Sequence, residues 1–246
     1  MSRKIGYALV LLLTLSYSCS QNGKRMGEIR SVSDLCAERL DNNCLPLDPW
    51  FLTRDSSGVT ASYRFLSQDC LCTSDPVLLC QDAGSFTVSM NEMPLIPNDD
   101  CFMIAGVTHE GENVIELHGR QDIGSVSLSG EFGVWADEEG GWYVDKARPL
   151  ETGLLASQGL PFYSGEVSYR RQYEVPEKVG RRILRIPSWK GEACSVWVNY
   201  QKVADVTPGR FKMDIGPYLE AGTNDIEVRI SGASGTFGLL KAFTLE

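Results

Sequence analysis

Short stretches of alternating apolar and polar residues dominate the chain after about residue 50. Gly, Pro, Asn or Asp separates them, and period-two alternation between such turn residues is typical of half-buried β-strands. The clearest runs are VTASYRF, FTVSM, VIELHG, VSLSGEFGVW, VSYRRQYEV, RRILRI, CSVWV and DIEVRIS. Together with 24 Gly and 11 Pro, they predict an all-β protein built from β-sandwiches.

The helical pattern is confined to the segment before these strands. Ser33 is a candidate N-cap ahead of the apolar positions Leu35, Cys36 and Leu40. We therefore expect a short, partly helical lead-in.

The N-terminus has the form of a signal peptide. Arg3 and Lys4 precede an apolar run at 5–15, which is too short to span a bilayer. The sequence LSYSC that follows is similar to a bacterial lipoprotein cleavage box. We predict that 1–18 is a lipoprotein-type signal peptide and that Cys19 carries the lipid, with an ordinary secretory signal as the alternative. The protein would then lie in the cell envelope, at the outer membrane or in the periplasm, and would otherwise be secreted. It would touch a membrane only through the lipid anchor.

Three short matches indicate an internal repeat. Tyr63 matches Tyr169, each within Ser-Tyr-Arg after a Ser-Gly pair. The other two matches align Asn91 with Asn199 and Asn113 with Asn224, in the same order and with slowly growing offsets. The pattern predicts one sandwich module written twice.

Length is compatible with this repeat, because the 246 residues leave room for two domains of about 100 residues after the signal peptide. The predicted organisation is a lead-in at 19–46, a first, divergent β-sandwich at 47–150 and a second β-sandwich at 151–246.

The net charge argues against nucleic-acid binding, and the cysteines offer candidate disulfides. The net charge of −9 provides no basic surface for nucleic acid. In an oxidising compartment, Cys36 with Cys44 and Cys70 with Cys80 are candidate local disulfides.

The second repeat carries a family resemblance. Its YRRQYEVP strand (Tyr169–Pro176), VWVN hairpin (Val196–Asn199) and LEAGTN turn (Leu219–Asn224) resemble the sugar-binding domain of family 2 glycoside hydrolases. The stretch QGLPFYSGEVSYRRQY, at 158–173, is similar to the C-terminal sandwiches of bacterial rhamnosidase-type hydrolases. The resemblance covers 158–246 well and about 47–157 weakly, and Tyr200 replaces the family's hairpin Gly.

This resemblance implies two tandem galactose-binding-like jelly rolls without the catalytic barrel of those enzymes, since about 230 residues cannot hold a barrel as well. It also implies a connection to sugars. The partner would be a glycan or a glycoside hydrolase.

The residues themselves give weak support for catalysis. The densest acidic pairs, Asp99-Asp100 and Asp137-Glu138-Glu139, stand beside turn residues and are interpreted as solvated loops. No cofactor is predicted, although a structural calcium in one of these loops is an open alternative. The two histidines, His109 and His118, are interpreted as surface or packing residues.

Tryptophans are the better candidates for a site, because sugar rings stack on exposed aromatic faces. Trp135 and Trp142 flank the ADEEGG turn and are expected to share a face at the hairpin tip, and Trp189 follows Pro187 in an inter-strand loop. These three are the candidate carbohydrate-binding residues, with core or inter-module packing as the alternative for each. Trp197 points away from its own core and is expected to contact the other module.

The predicted function is that of a non-catalytic envelope protein that binds carbohydrate or supports a glycan-degrading enzyme. The first alternative is a structural or protein-interaction remnant of a larger glycoside hydrolase, which would show an extensive apolar face. The second is a small glycoside hydrolase, which would show a deep cleft with a carboxyl of raised pKa.

Overall fold

The all-β prediction is confirmed. The computed structural model describes residues 29–69, 71, 76–176, 180–209 and 211–246, and these are 56% strand and 5% helix. The helical part consists of short 3-10 turns at Ala83–Ser85, Leu155–Gln158 and Gly216–Tyr218. In these described ranges no helix is long and apolar enough to cross a membrane. The predicted signal peptide and Cys19 lie outside them.

The strands fall into a lead-in pair, a first half and a second half. The lead-in pair is β1 (Arg30–Ser31) and β2 (Cys36–Arg39). The first half contains β3 (Asn43–Leu47), β4 (Phe51–Asp55), β5 (Gly58–Ser67), β6 (Val77–Cys80), β7 (Phe86–Met90), β8 (Met93–Leu95), β9 (Pro97–Asn98), β10 (Cys101–Met103), β11 (Gly111–Gly119), β12 (Val126–Gly130), β13 (Phe132–Ala136) and β14 (Trp142–Lys146). The second half contains β15 (Gly165–Val175), β16 (Ile183–Ile186), β17 (Ser188–Lys190), β18 (Ala193–Val198), β19 (Gln201–Asp205), β20 (Phe211–Asp214), β21 (Gly222–Gly232), β22 (Gly238–Lys241) and β23 (Thr244–Leu245).

Each half has a hydrophobic core of its own. In the first half, a sheet with the order β13–β14–β5–β11–β7–β8 and a sheet with the order β3–β12–β6–β10–β9 supply side chains to one buried cluster. In the second half, the sheet containing β15–β21–β18–β19 and the small sheets β20–β16–β23 and β17–β22 enclose another. Alternating burial along the strands, such as that of β11 and β18, places every second side chain in these cores.

The described part of the lead-in, 29–46, contains no helix, so the helix expected from Ser33 onward is wrong. β1 and β2 both pair antiparallel with β15 and so extend the main sheet of the second half. Ile29, Leu35 and Ala37 pack against the second core. Tertiary pairing with the exposed edge of β15 outweighs the weak local preference for a helix.

The lead-in also separates two cysteines that were expected to form a disulfide. Cys36 lies on β2, opposite Arg170 in the sheet of the second half, whereas Cys44 lies on β3, opposite Ser129 in the first half. Both thiols are free, so the Cys36–Cys44 bridge is wrong. Cys70, the proposed partner of Cys80, lies outside the described residues.

The two matched asparagine turns have the same backbone. Asn91 and Glu92, between β7 and β8, have φ angles of 49° and 66°, and Asn199 and Tyr200, between β18 and β19, have the same two values. Positive φ at both central residues is the mark of the type I′ hairpin turn, which Asn tolerates well. Tyr200 therefore takes the left-handed conformation that a Gly would occupy in the family pattern.

A second matched pair connects these turns to the sheet. In the first half, the Asn113 amide nitrogen donates to the carbonyl oxygens of His109 and Gly111, at 2.8 and 3.2 Å, and its Oδ1 accepts from the His109 N–H and from Asn91 Nδ2. The side chain of Asn113 is fully buried. It ties the loop before β11 to the β7–β8 turn.

The second half repeats this network bond for bond. Asn224 Nδ2 donates to the carbonyls of Glu220 and Gly222, at 2.8 and 2.9 Å, and Asn224 Oδ1 accepts from the Glu220 N–H and from Asn199 Nδ2. The two asparagine matches in the sequence thus mark equivalent positions of the two halves.

The Ser-Tyr-Arg match, in contrast, is out of register. Tyr63 lies opposite Ile115, two residues after Asn113, whereas Tyr169 lies opposite Val228, four residues after Asn224. The ladders make Arg171, which faces Ile226, the positional equivalent of Tyr63. Because the slip is two residues, both tyrosines still point into a core and the alternation conceals it.

Candidate functional site

The first half has an open cleft beside the tip of the β13–β14 hairpin. Its volume is about 500 Å³, and its walls come from β5, the start of β11, the acidic turn and the start of β14. The lining residues are Arg64, Phe65, Leu66, Glu112, Asp137, Glu139, Gly141 and Trp142. One aromatic platform and several charged groups therefore surround a space large enough for a small ligand.

Trp142 provides the aromatic surface of this cleft. Its side chain is 41% exposed, although one edge packs on Phe162 in a T-shaped contact with ring centroids 4.9 Å apart. Phe162 in turn packs on the first core. The indole is thus held from one side while part of its surface remains accessible.

Charged groups lie around this platform. Arg64 and Glu112 form an exposed ion pair at 3.7 Å, which is worth little to stability but leaves both groups available to a ligand. Asp137 Oδ1 accepts hydrogen bonds from the N–H groups of Glu139 and Gly141, at 2.9 and 2.6 Å. These bonds close the acidic turn and hold its carboxylate at the rim.

Trp50 extends the aromatic surface next to the cleft, and the sequence analysis did not select it. It is 58% exposed, its ring packs at 6.2 Å from that of Phe51, and the Arg64 guanidinium lies 5.9 Å from its ring centroid. The backbone N–H of Trp50 donates to the Ser62 carbonyl on β5. The missing signal was the pairing of β4 with β5, which single-sequence patterns do not provide.

Trp135 does not share a face with Trp142, so this expectation is wrong. Trp135 pairs with Tyr143 across the hairpin, whereas Trp142 pairs with Ala136. Adjacent residues of a strand point to opposite faces. The Arg148 guanidinium lies 4.2 Å from the Trp135 ring, and the ring packs closely over Gly159. Trp135 is thus an inter-half contact.

Trp189 is also remote from the cleft. It lies on β17, opposite Leu239 of β22, and is partly buried against the second core. Of the three candidate tryptophans, Trp142 is the one that lines an open cleft.

Trp197 lies on the outer face of the main sheet of the second half, and its described contacts are within that half, so the expected contact with the other module is wrong. The Arg229 guanidinium lies 4.2 Å from its ring, and its Nε1 donates to Ser195 Oγ. Beside it, Glu227 is 2% exposed and accepts from Ser168 Oγ and Arg229 Nε at 2.6 and 2.7 Å. Burial alone would raise the pKa of Glu227, but these hydrogen bonds and the nearby guanidinium charges hold it below its ordinary value.

We expect Glu227 to make stability depend on acid pH. A carboxyl whose folded pKa is lowered stabilises the fold above its unfolded pKa of about 4.3, and this contribution is lost as pH falls through the folded value. In urea unfolding between pH 6 and pH 2, the free energy of unfolding of Glu227→Gln should fall less steeply than that of the wild type. The difference in slope should be at most about 1.4 kcal/mol per pH unit.

The exposed Glu192→Gln variant is the matched control and should keep the wild-type slope. Equal slopes for the wild type and Glu227→Gln would contradict the assignment.

Both histidines are exposed and lie within hydrogen-bond distance of a neighbour in the first half. His118 Nδ1 lies 2.9 Å from Thr60 Oγ1, and the exposed His109 Nδ1 lies 2.8 Å from the Glu110 carbonyl. Within the described ranges, no three His, Cys, Asp or Glu side chains come together as a metal site.

No protein-family model matches the chain, and no curated protein matches it. Among solved structures it is similar to the α-L-rhamnosidase of Streptomyces avermitilis, determined with L-rhamnose, at 13% identity and a TM-score of 0.33 over 89% of this chain and 26% of that one. It is similar to the rhamnosidase of Novosphingobium sp. PP1Y at 16% identity and a TM-score of 0.34, over 86% of this chain and 24% of that one.

A further similarity is to the β-D-glucuronidase of Dictyoglomus thermophilum, at 19% identity and a TM-score of 0.29, over 41% of this chain and 18% of that one. These structural neighbours are glycoside hydrolases, and this chain spans about a quarter or less of the length of each.

Proposed function

We propose that the protein is a non-catalytic carbohydrate-binding protein and that it binds glycan in the cleft at Trp142. The observation that carries the proposal is the cleft itself, in which a partly exposed indole stands beside Arg64, Glu112 and the acidic turn. Sugars combine apolar C–H faces with many hydroxyl groups. An indole surface can stack on the C–H faces, and guanidinium and carboxylate groups can form hydrogen bonds with the hydroxyl groups.

The finer assignment belongs to the same proposal. The two halves would be tandem galactose-binding-like jelly rolls, attached to the bacterial envelope through lipid on Cys19. The shared asparagine network supports a common origin of the halves. The lipid anchor depends on the sequence pattern alone.

Trp142→Ala should weaken glycan binding about tenfold or more, because stacking of a sugar ring would bury an indole face worth more than about 1.4 kcal/mol. The measurement is a glycan array with the full chain, followed by calorimetric titration of the strongest hit. Tyr218→Ala is the matched control, because it removes a 39% exposed aromatic ring from the second half. Its affinity should equal that of the wild type.

Failure of the folded wild type to bind any glycan would refute the proposal. It would favour a second candidate function, a protein-interaction module. The observation behind this candidate is the group of exposed apolar residues Trp50, Phe51 and Leu52, just before and at the start of β4.

A further inference from the structure

A second cavity lies between the two halves, apart from the Trp142 cleft. Its volume is about 170 Å³, and more of its lining is apolar than polar. Its walls come from strand β2, from the start of β13 and from the connection between β14 and the second half. The lining residues used below are Arg39, Phe132, Gly133, Arg148, Leu150 and Leu160.

Arg39 places an incompletely solvated positive charge in the wall of this cavity. Its Nη1 donates to the carbonyl oxygens of Gly130 and Phe132 at 3.4 and 3.3 Å, which are long hydrogen bonds. No described carboxylate forms an ion pair with it. Burial lowers the pKa of Arg39, and the attraction of Glu131 and Tyr163 only partly opposes this. A guanidinium has five N–H donors, so most of its capacity remains for a ligand.

Trp135 adds an unused donor beside the same wall. Its Nε1 is buried and has no acceptor among the described residues. A Cβ built on Gly133 would lie only 2.8 Å from that nitrogen, so the indole N–H lies directly over a residue that lines the cavity. A buried donor without an acceptor costs about 1–3 kcal/mol, and its position next to the wall makes the Trp135 N–H a reporter of what the cavity holds.

A third donor group stands at the rim. The Arg148 side chain lies over the Trp135 ring and reaches Asp145 at only 3.7 Å. Phe132, Leu150 and Leu160 provide the apolar part of the lining. The walls therefore combine two guanidinium groups with an apolar surface, and the Trp135 N–H lies behind Gly133.

From this arrangement we propose that the junction cavity binds a small organic carboxylate with a short apolar body. The carboxylate would pair with the Arg39 guanidinium in a two-point geometry that suits this side chain, and the apolar body would contact Phe132, Leu150 and Leu160. This site is separate from the proposed glycan cleft and does not depend on it.

Size and polarity decide the chemical class. The cavity is smaller than the roughly 300–1,000 Å³ that hold drug-sized ligands, so the ligand must be small. The charged lining consists of two guanidinium groups and the Glu38 carboxylate, so its net positive charge opposes a cation. The apolar lining offers nothing to an inorganic anion such as sulfate, which loses more hydration than it regains.

The test compares benzoate with benzamide, which have the same shape but differ in charge. The full chain is labelled with ¹⁵N, and the five Trp indole N–H signals are followed by NMR, with Trp135→Phe assigning the signal of Trp135. Benzoate should shift the Trp135 signal saturably and should bind at least tenfold more tightly than benzamide. Arg39→Gln should weaken benzoate binding tenfold or more.

Two further arms keep the result interpretable if Arg39→Gln disturbs the junction. Arg148→Gln alters an exposed side chain, so the variant should remain folded, as judged from its NMR spectrum. It should nevertheless bind benzoate more weakly than the wild type. Sodium sulfate at equal ionic strength should not shift the Trp135 signal. Equal affinity for benzoate and benzamide, displacement of benzoate by sulfate, or no response of the Trp135 signal would each overturn the proposal.

Discussion

A variant that begins at Asn43 is expected to lose the fold of its second half. This truncation removes β1 and β2, which pair with Glu174-Tyr173 and with 167–170 of β15, and it removes Ile29 and Leu35 from the second core. At about 1 kcal/mol for each net hydrogen bond, together with the lost apolar burial, we expect a cost of about 4–7 kcal/mol. That is comparable to the total stability of a typical domain.

Hydrogen exchange read out by mass spectrometry would localise this effect. Peptides from β15 and β21 should lose protection in the truncated protein, while those from β5 and β11 should keep it. A variant that begins at Ile29 retains both lead-in strands and is the matched control, with expected wild-type protection. Full protection of β15 in the shorter variant would show that the lead-in strands contribute little.

Asn224→Ala is expected to destabilise the second half by about 2–4 kcal/mol. The substitution leaves the Glu220 N–H, the carbonyls of Glu220 and Gly222, and Asn199 Nδ2 without their partner. These hydrogen bonds are partly buried, and each one lost costs about 0.5–1.5 kcal/mol. Asn113→Ala should have the same effect on the first half, because the same bonds are lost.

Urea unfolding with separate probes for the two halves would measure both variants. Exposed Asn98 offers the control, since a surface substitution such as Asn98→Ala should change stability by no more than about 0.5 kcal/mol. A loss below about 1 kcal/mol for both buried asparagines would mean that water replaces the network.

Local sequence patterns were sufficient to predict that the protein is all-β and that its two halves have equivalent turns. Period-two alternation identifies strands such as β11 and β21 because one face of each is buried. Asn91 and Asn199 were informative because few residues accept the positive φ of a type I′ turn. In both cases the signal arises from the residue's own backbone or its immediate neighbours.

Long-range pairing could not be predicted in the same way. Strand β2 forms because the edge of β15 is available to it, and that edge is made by residues more than a hundred positions away. The register error at Tyr63 and Tyr169 has a related origin. A slip of two residues preserves the inward direction of every side chain, so no local pattern reveals it.

The candidate site was predicted in part, for the same reasons. The exposed aromatic Trp142 followed from its place beside a polar turn. Its charged neighbours Arg64 and Glu112 come from two other strands, and only the β5–β11 ladder brings them to the cleft. Trp135 was misplaced because the length of the turn, and hence the pairing of the hairpin, decides the face.

The position of the lead-in strands also sets an order for biosynthesis. Arg30 and Ser31 leave the ribosome long before Glu174 and Tyr173, with which they pair. The nascent chain therefore carries two unpaired strands while the whole first half is made and closes its own core. Unpaired strands are exposed to wrong partners during that interval. A slower translation rate would lengthen the interval during which β1 and β2 are unpaired. A holding chaperone that binds extended segments would be of most use during this interval.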